Sequence, residues 1–317
     1  MKGRAGENSF ARGTVNSMQT ERRNPRSRGL DRKSTLQILR VLNREDARVA
    51  FAVGRELPQI ARAADAIVRA MRNGGRLLYV GAGTSGRLAV VDAAECAPTF
   101  GTDPRMVQAI IAGGKRALRH AVEDAEDSAA DGARDLAAAH VTRRDVVVGL
   151  AASGTTPYVL GALRLARRKG AVTVSVTSNR RSPLVRQAQI AIVPDTGPEA
   201  IAGSTRLKAG TAQKMVLNLL STASMVRLGR VYENWMIYVK LGNQKLRRRG
   251  AQILEEAAGV SASAAKHALR QSGHDLPAAL VMLKTGAGAR DAARALAATG
   301  GDVRRALAIA QGARRKT

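Results

Sequence analysis

The residues from Leu77 to Gly101 read LLYVGAGTSGRLAVVDAAECAPTFG. An apolar strand pattern leads into a glycine and hydroxyl loop, then into a helix that reaches Glu95. In the loop, Gly83 and Gly86 free backbone N–H groups and Thr84 and Ser85 add hydroxyl donors, so an anion can sit at the positive end of the following helix. Ala93, Ala94, Cys96 and Ala97 flank Glu95 with small side chains. Such apolar surroundings should raise the pKa of a carboxyl and keep a proton available, and Glu95 stands as a possible acid or base. Cys96 reads as packing rather than as a nucleophile.

A second loop of the same chemistry, Ala151-Ala152-Ser153-Gly154-Thr155-Thr156-Pro157, follows another apolar run. One such loop is ordinarily a helix N-cap. Two at the ends of neighbouring strands can converge on one phosphate, with Ser153, Gly154, Thr155 and Thr156 facing Gly83, Thr84, Ser85 and Gly86. A third stretch, Gly203 to Lys208, opens another helix and offers Ser204 and the charge of Lys208 as further ligands. Gly81 to Gly86 also fits G-x-G-x-x-G, the dinucleotide fingerprint. A dinucleotide site needs an acidic residue closing the second strand to hold a ribose. Here Val107–Ile111 ends in Ala112-Gly113-Gly114, which removes most support for that reading.

The elements that must position these loops follow from periodicity. Strands are predicted at Arg76–Val80, Val107–Ile111, Asp145–Leu150, Val172–Thr177 and Ile190–Val193, with helices between most of them, including Lys115–Ala138 and Pro157–Arg168. Short apolar strands alternating with amphipathic helices imply an α/β fold with a parallel sheet covered on both faces. Its ligands belong at the carboxyl ends of the strands. Ser34 and Thr35 cap a helix through Leu42 that breaks at Asn43–Asp46, and Val49–Met71 continues as one or two helices. Residues 1–33 are expected to form a basic polar arm, wrapping or mobile; 34–250 the α/β domain that carries the loops; and 251–317 a small helical domain of UBA-like kind. In that last part Ala268-Leu269, Gly273, Asp275 and Ala279-Leu280 recur 27 residues later as Ala295-Leu296, Gly300, Asp302 and Ala306-Leu307. The repeat predicts two helical hairpins, each turned at glycine and capped by Asp.

Composition bounds the function. The chain has 317 residues, 45% of them hydrophobic, which is globular and large enough for a substantial core. A single cysteine excludes an internal disulfide framework, and four scattered histidines have no metal-ligand spacing, so no metal is expected. No apolar run approaches the ~20 residues of a membrane span, and the first residues lack a signal-peptide core, so a soluble cytoplasmic protein is expected. The formal charge is +27. Its basic runs are short and scattered and aromatics are 3%, which provides non-specific anion affinity rather than a specific nucleic-acid site.

The loops GAGTSGR and ASGTTPY resemble the two halves of a sugar isomerase (SIS) domain, a phosphosugar-binding fold. From Thr20 to the C-terminus, TERRNP, YVGAGTSGRL, DAAECAPTFG, VEDAEDS, DVVVGLAASGTTPYV and GSTRLKAGTAQK are similar, in order, to the N-acetylmuramic acid 6-phosphate etherase family. The resemblance implies cleavage of the ether between D-lactate and the sugar by elimination and hydration. It also implies a phosphosugar substrate, no cofactor, a homodimer, and a place in amino-sugar catabolism and cell-wall recycling. It implies Glu95 as the acid that protonates the departing lactate and Glu126 as the base that takes the C2 proton. Without it, Glu126 stands beside Glu123, Asp124 and Asp127 and reads as a solvated carboxylate on a helix face. Two departures stand out. The family commonly reads DASECPPTFG where this chain has Ala94 and Ala97, and often Asn-Pro-Gly-Ser where this chain has Asn179-Arg180-Arg181-Ser182. The related glucokinase regulatory protein of animals offers an alternative, a sugar-phosphate sensor without catalysis, which the retention of both glutamates disfavours. A transcription regulator of the same fold requires a helix-turn-helix that residues 1–75 do not supply.

Overall fold

The computed structural model describes residues 18–122 and 124–314. Residues 1–17 of the expected arm, Glu123 and residues 315–317 lie outside these. The chain divides into two compact units, one made of residues up to Ala93 together with Arg105–Ser221, the other of Ala94–Pro104 together with residues from Thr222 onward. The second unit therefore begins earlier in the chain than residue 251.

The first unit is built on five parallel strands, β1 (Leu77–Gly81), β2 (Val107–Ile111), β3 (Val146–Leu150), β4 (Val172–Val176) and β5 (Ile190–Ile192), in the order β2-β1-β3-β4-β5. Every residue of β1 and β3 is buried, as expected for central strands covered on both faces. Their apolar side chains pack with Leu136, Val159, Leu163 and Leu184 from the covering helices. The covering and preceding helices are α1 (Thr35–Asp46), α2 (Val49–Gly54), α3 (Leu57–Arg72), α4 (Gly83–Phe100), α5 (Ala129–Ala138), α6 (Pro157–Arg168), α7 (Pro183–Gln187) and α8 (Lys208–Arg227), of which α4 and α8 run on into the second unit.

Two local expectations are corrected. The helix from Ser34 does not break at Asn43 but runs to Asp46. A capping box starts it, Ser34 Oγ accepting from Gln37 N while Gln37 Oε1 accepts from Ser34 N. Its last turn is retained because Glu45 points inward, where Lys208 and Asn24 bind it. The helix expected over Lys115–Ala138 is a 3-10 turn at Gly114–Leu118, a looped stretch, and then α5. Ser128 starts α5 as N-cap, Oγ accepting from Asp131 N at 3.1 Å. Asp124 upstream sits at φ 61°, a left-handed conformation no helix interior holds.

Residues 18–33 form three short 3-10 turns fastened to the sheet unit. Thr20 and Asn24 are buried, Gly203 N donates to Thr20 O, and Asn24 Nδ2 donates to Pro198 O. In the second unit α9 (Gln244–Ala258), α10 (Ala262–Gln271), α11 (Leu276–Thr285), α12 (Ala289–Ala298) and α13 (Val303–Arg314) pack Leu254, Leu269, Leu280, Val281, Leu296 and Val303 together. The 27-residue repeat is seen in its capping: Asp275 Oδ1 accepts from Ala278 N at 2.9 Å and Asp302 Oδ1 from Arg305 N at 3.1 Å. The preceding Gly273 and Gly300 turn at φ 65° and 64°. No helix among the described residues is long and apolar enough to cross a membrane.

Candidate active site

Gly81 pairs in register with Leu150, and Leu150 with Val176. The loops after β1, β3 and β4 therefore leave the sheet side by side at its carboxyl edge, where ligands bind in open parallel sheets.

The β1 loop turns tightly into α4. A Cβ on Gly86 would lie 2.6 Å from Ile111 Cγ1 and 2.9 Å from Gly81 O, so only glycine permits that approach. Gly83 is exposed at φ 51°. Thr84 is half-buried, its methyl near the first turn of α8 at Gly210. Ser85 is buried and its Oγ donates to Gln213 Oε1 at 2.8 Å. Gln213 Nε2 is buried and makes no hydrogen bond among the described residues.

In the β3 loop, Ser153 Oγ accepts from Thr155 N at 3.2 Å and from Thr155 Oγ1 at 3.0 Å. Thr156 occupies the N-cap of α6 yet makes no side-chain capping bond, so the ordinary capping role for this loop is not taken up. Gly154 sits at φ 71°, and a Cβ there would stand 2.3 Å from Ser182 Oγ. Asn179 clamps the loop: its Nδ2 donates to Ala152 O and Ser153 O, both at 3.1 Å, and its Oδ1 accepts from Gln19 N. The β3 and β4 loops and the segment around Thr20 thus meet at one place.

Glu126 is exposed and not on a helix, because the segment before Ser128 is looped. Its backbone carbonyl accepts from Tyr158 N at 3.0 Å, which ties it to the first turn of α6, directly after the β3 loop. That tie depends on close packing of α5 on α6. A Cβ on Gly132 would fall 1.9 Å from Tyr158 O, and one on Gly161 1.9 Å from Ala129 O. Glu95 belongs to the second unit and Glu126 to the first. The apolar surround expected for Glu95 does not form around its carboxyl. Ser85, Ala89, Asp92, Cys96 and Phe100 make the buried stripe of α4, and at about 100° per residue Glu95 turns out of it and is exposed.

Lys208 and Ser204 are placed otherwise than the sequence predicts. Lys208 is 1% exposed and its Nζ lies 2.5 Å from Glu45 Oε2, so its charge is neutralised inside the fold rather than presented to a ligand. Burial pushes Glu45 upward, but the hydrogen bonds from Lys208 and Asn24 outweigh it and hold the carboxyl below its ordinary value. The start of α8 already carries an anion: Glu199 accepts from Lys208 N at 3.0 Å and Ala209 N at 2.9 Å. Ser204, half-buried before that start, serves the turn through its backbone, N donating to Ile201 O. Burial raises Glu199 above the ordinary carboxylate value, against the pull of those two N–H groups. Asp92, bound by Tyr79 OH at 2.9 Å and Ser221 Oγ at 3.0 Å, is likewise raised by burial and holds α4 against β1 and α8.

Sequence reading assigned no role to Asn179, Ser182, Gln213 or Thr20. Each lies inside a stretch already marked by the family resemblance. Their contacts, however, join residues as far apart as 160 positions, which no local pattern reveals.

A family model of the glucokinase regulatory protein N-terminal SIS domain matches residues 59–167, and the SIS domain model matches 121–223. Among solved structures, a putative phosphosugar isomerase involved in capsule formation from Bacteroides fragilis superposes with TM-score 0.50 at 18% identity, over 67% of this chain and 99% of that one. That likeness carries the fold alone. The N-acetylmuramic acid 6-phosphate etherase of Geobacillus thermodenitrificans is 50% identical over 92% of this chain and 98% of its own length. That of Serratia proteamaculans is 51% identical over 92% and 99%. With half its residues shared over nearly its whole length, the chain belongs to the N-acetylmuramic acid 6-phosphate etherase family.

Proposed function

We propose that this protein is a carbon–oxygen lyase that converts N-acetylmuramic acid 6-phosphate and water to N-acetylglucosamine 6-phosphate and D-lactate. The observation that carries the reading is the 50% identity to relatives of that name across 92% of the chain. The phosphate is held by Thr84, Ser153, Thr155 and Thr156 with the backbone N–H of Gly83, donors that match an anion without requiring a metal. Ser85 Oγ is instead engaged by Gln213, and the N–H groups of Gly86 and Gly154 by Ala82 O and Ala151 O.

The chemistry needs two carboxyl groups. In the open-chain sugar the C1 aldehyde acidifies the C2 proton, and Glu126 removes it as general base. The electron pair left at C2 expels the lactyl oxygen from C3, and Glu95 protonates that oxygen as the bond breaks, because an alkoxide is otherwise a poor leaving group. D-Lactate departs and an unsaturated aldehyde remains. Glu95, now a carboxylate, takes a proton from water as the water oxygen adds to C3, and Glu126 returns its proton to C2. Both residues end as they began.

A place in the cytoplasm, a role in cell-wall recycling and a homodimeric state belong to the same reading. The dimer is supported by Phe51, 75% exposed, and by Leu36, Leu39 and Leu57 on the first three helices, apolar exposure of the kind that marks an interface. A catalytically silent sugar-phosphate sensor is disfavoured because both glutamates are retained. The deciding measurement is an enzymatic assay for D-lactate after incubation with N-acetylmuramic acid 6-phosphate. Stoichiometric lactate is expected, and folded protein that releases none would refute the reading.

A further inference from the structure

Beside the β3 loop lies a cavity of about 580 Å³, within the range of small-ligand sites. Its lining includes Arg22, Ser153, Thr155, Arg181, Ser182 and Arg186 and, among the described residues, no acidic side chain. In a chain of charge +27 exposed arginines are common, so cations alone decide nothing. Ser182 decides more. It is 5% exposed, its Oγ makes no hydrogen bond among the described residues, and it caps α7 without using its side chain. A buried hydroxyl left without a partner is costly and calls for one from outside the chain.

The four arginines around the cavity also differ. The Arg180 guanidinium is paired with Glu56 at 3.1 Å, and Arg186 donates to Arg181 O at 3.0 Å. Arg22 and Arg181 have no carboxylate partner among the described residues. Both are exposed at the mouth of the cavity, one on the segment before the first helices and one after β4. Asn179 ties those two segments together through Gln19 N and Thr20 Oγ1, so Arg22 and Arg181 stand on backbone joined to the frame that also clamps the Ser153 loop, and both line the same cavity.

We propose that Arg22 and Arg181, with Ser182, bind the 6-phosphate of the sugar and are specificity-determining residues of this chain. A phosphate monoester presents three acceptor oxygens and close to two charges. Two planar guanidinium forks and the hydroxyls of Ser153, Thr155 and Ser182 answer that geometry better than they answer a single carboxylate. The inference rests on the proposed function only in taking a phosphosugar as ligand.

The test is calorimetric titration of the full chain with N-acetylglucosamine 6-phosphate, which carries phosphate but no carboxylate, and with N-acetylmuramic acid, which carries carboxylate but no phosphate. Arg181→Ala and Arg22→Ala are each expected to weaken the phosphosugar roughly tenfold or more, with the carboxylate sugar unaffected. Arg181→Lys should recover part of the loss, since it restores charge without the fork. Affinity for the phosphosugar unchanged in both alanine variants would overturn the proposal. Weakening confined to the carboxylate sugar would also overturn it, by giving the cavity to the lactyl group. Because binding is read rather than turnover, a loss of phosphosugar affinity in the alanine variants beside a wild type that releases no lactate would refute the etherase reading and leave this inference standing.

Discussion

A carboxylate that takes a proton beside an aldehyde and a carboxyl that protonates a departing oxygen leave different isotopic traces. The roles of Glu126 and Glu95 can therefore be separated in one solvent. In D₂O the wild type should exchange the C2 hydrogen of N-acetylglucosamine 6-phosphate, because removal of that proton requires no leaving group. Glu126→Gln should cut both this exchange and lactate release by about 10²–10⁴-fold, the usual weight of general acid–base catalysis. Glu95→Gln should lose lactate release by a similar factor while retaining exchange. The opposite pattern, read by proton NMR, would reverse the assignment. Both side chains are exposed, so an amide in their place leaves the packing alone.

At the scale of elements, Glu126 is placed by glycine. Gly132 and Gly161 let α5 and α6 touch backbone to backbone, and the stretch entering α5 is thereby anchored through Glu126 O to the start of α6. A methyl at Gly132 would sit 1.9 Å from Tyr158 O and must push the helices apart. Gly132→Ala is expected to destabilise the protein by about 1–3 kcal/mol in urea unfolding and to lower kcat more than it raises KM. An unchanged kcat would show that Glu126 does not depend on this packing. The sequence shows why such elements were only partly legible. The strands are legible because buried strands need unbroken apolar runs, and the turn after β3 because tight turns need glycine, whereas Thr84 and Ser85, expected in a loop, lie in the first turn of α4. The segment before α5 imitates a helical period with its alanine and charged residues, whereas the helix begins only at the Ser128 cap. The burial of Lys208 is illegible locally because its partner Glu45 lies 163 positions away, on a helix end whose sequence reads as a break.

At the scale of the whole molecule the charge of +27, which the family resemblance does not explain, makes two opposed demands. Binding of an anionic sugar gains from the positive field and weakens as salt screens it. Pairing of two like-charged chains is opposed by the same field, so a homodimer must rest on apolar burial, and salt should tighten it. Stable pairs need about 800 Å² from each partner, a demand a single exposed side chain cannot meet but Leu36, Leu39, Phe51 and Leu57 together begin to. Light scattering is expected to give twice the chain mass for the wild type, with dissociation shifting to lower protein concentration as sodium chloride rises. Phe51→Asp adds a buried charge to the interface and should give the monomer mass at concentrations where the wild type is paired. Circular dichroism should be unchanged, since Phe51 is 75% exposed within one chain. A wild type of single-chain mass at every salt concentration, or a Phe51→Asp variant that pairs as well as the wild type, would place the interface elsewhere or remove it.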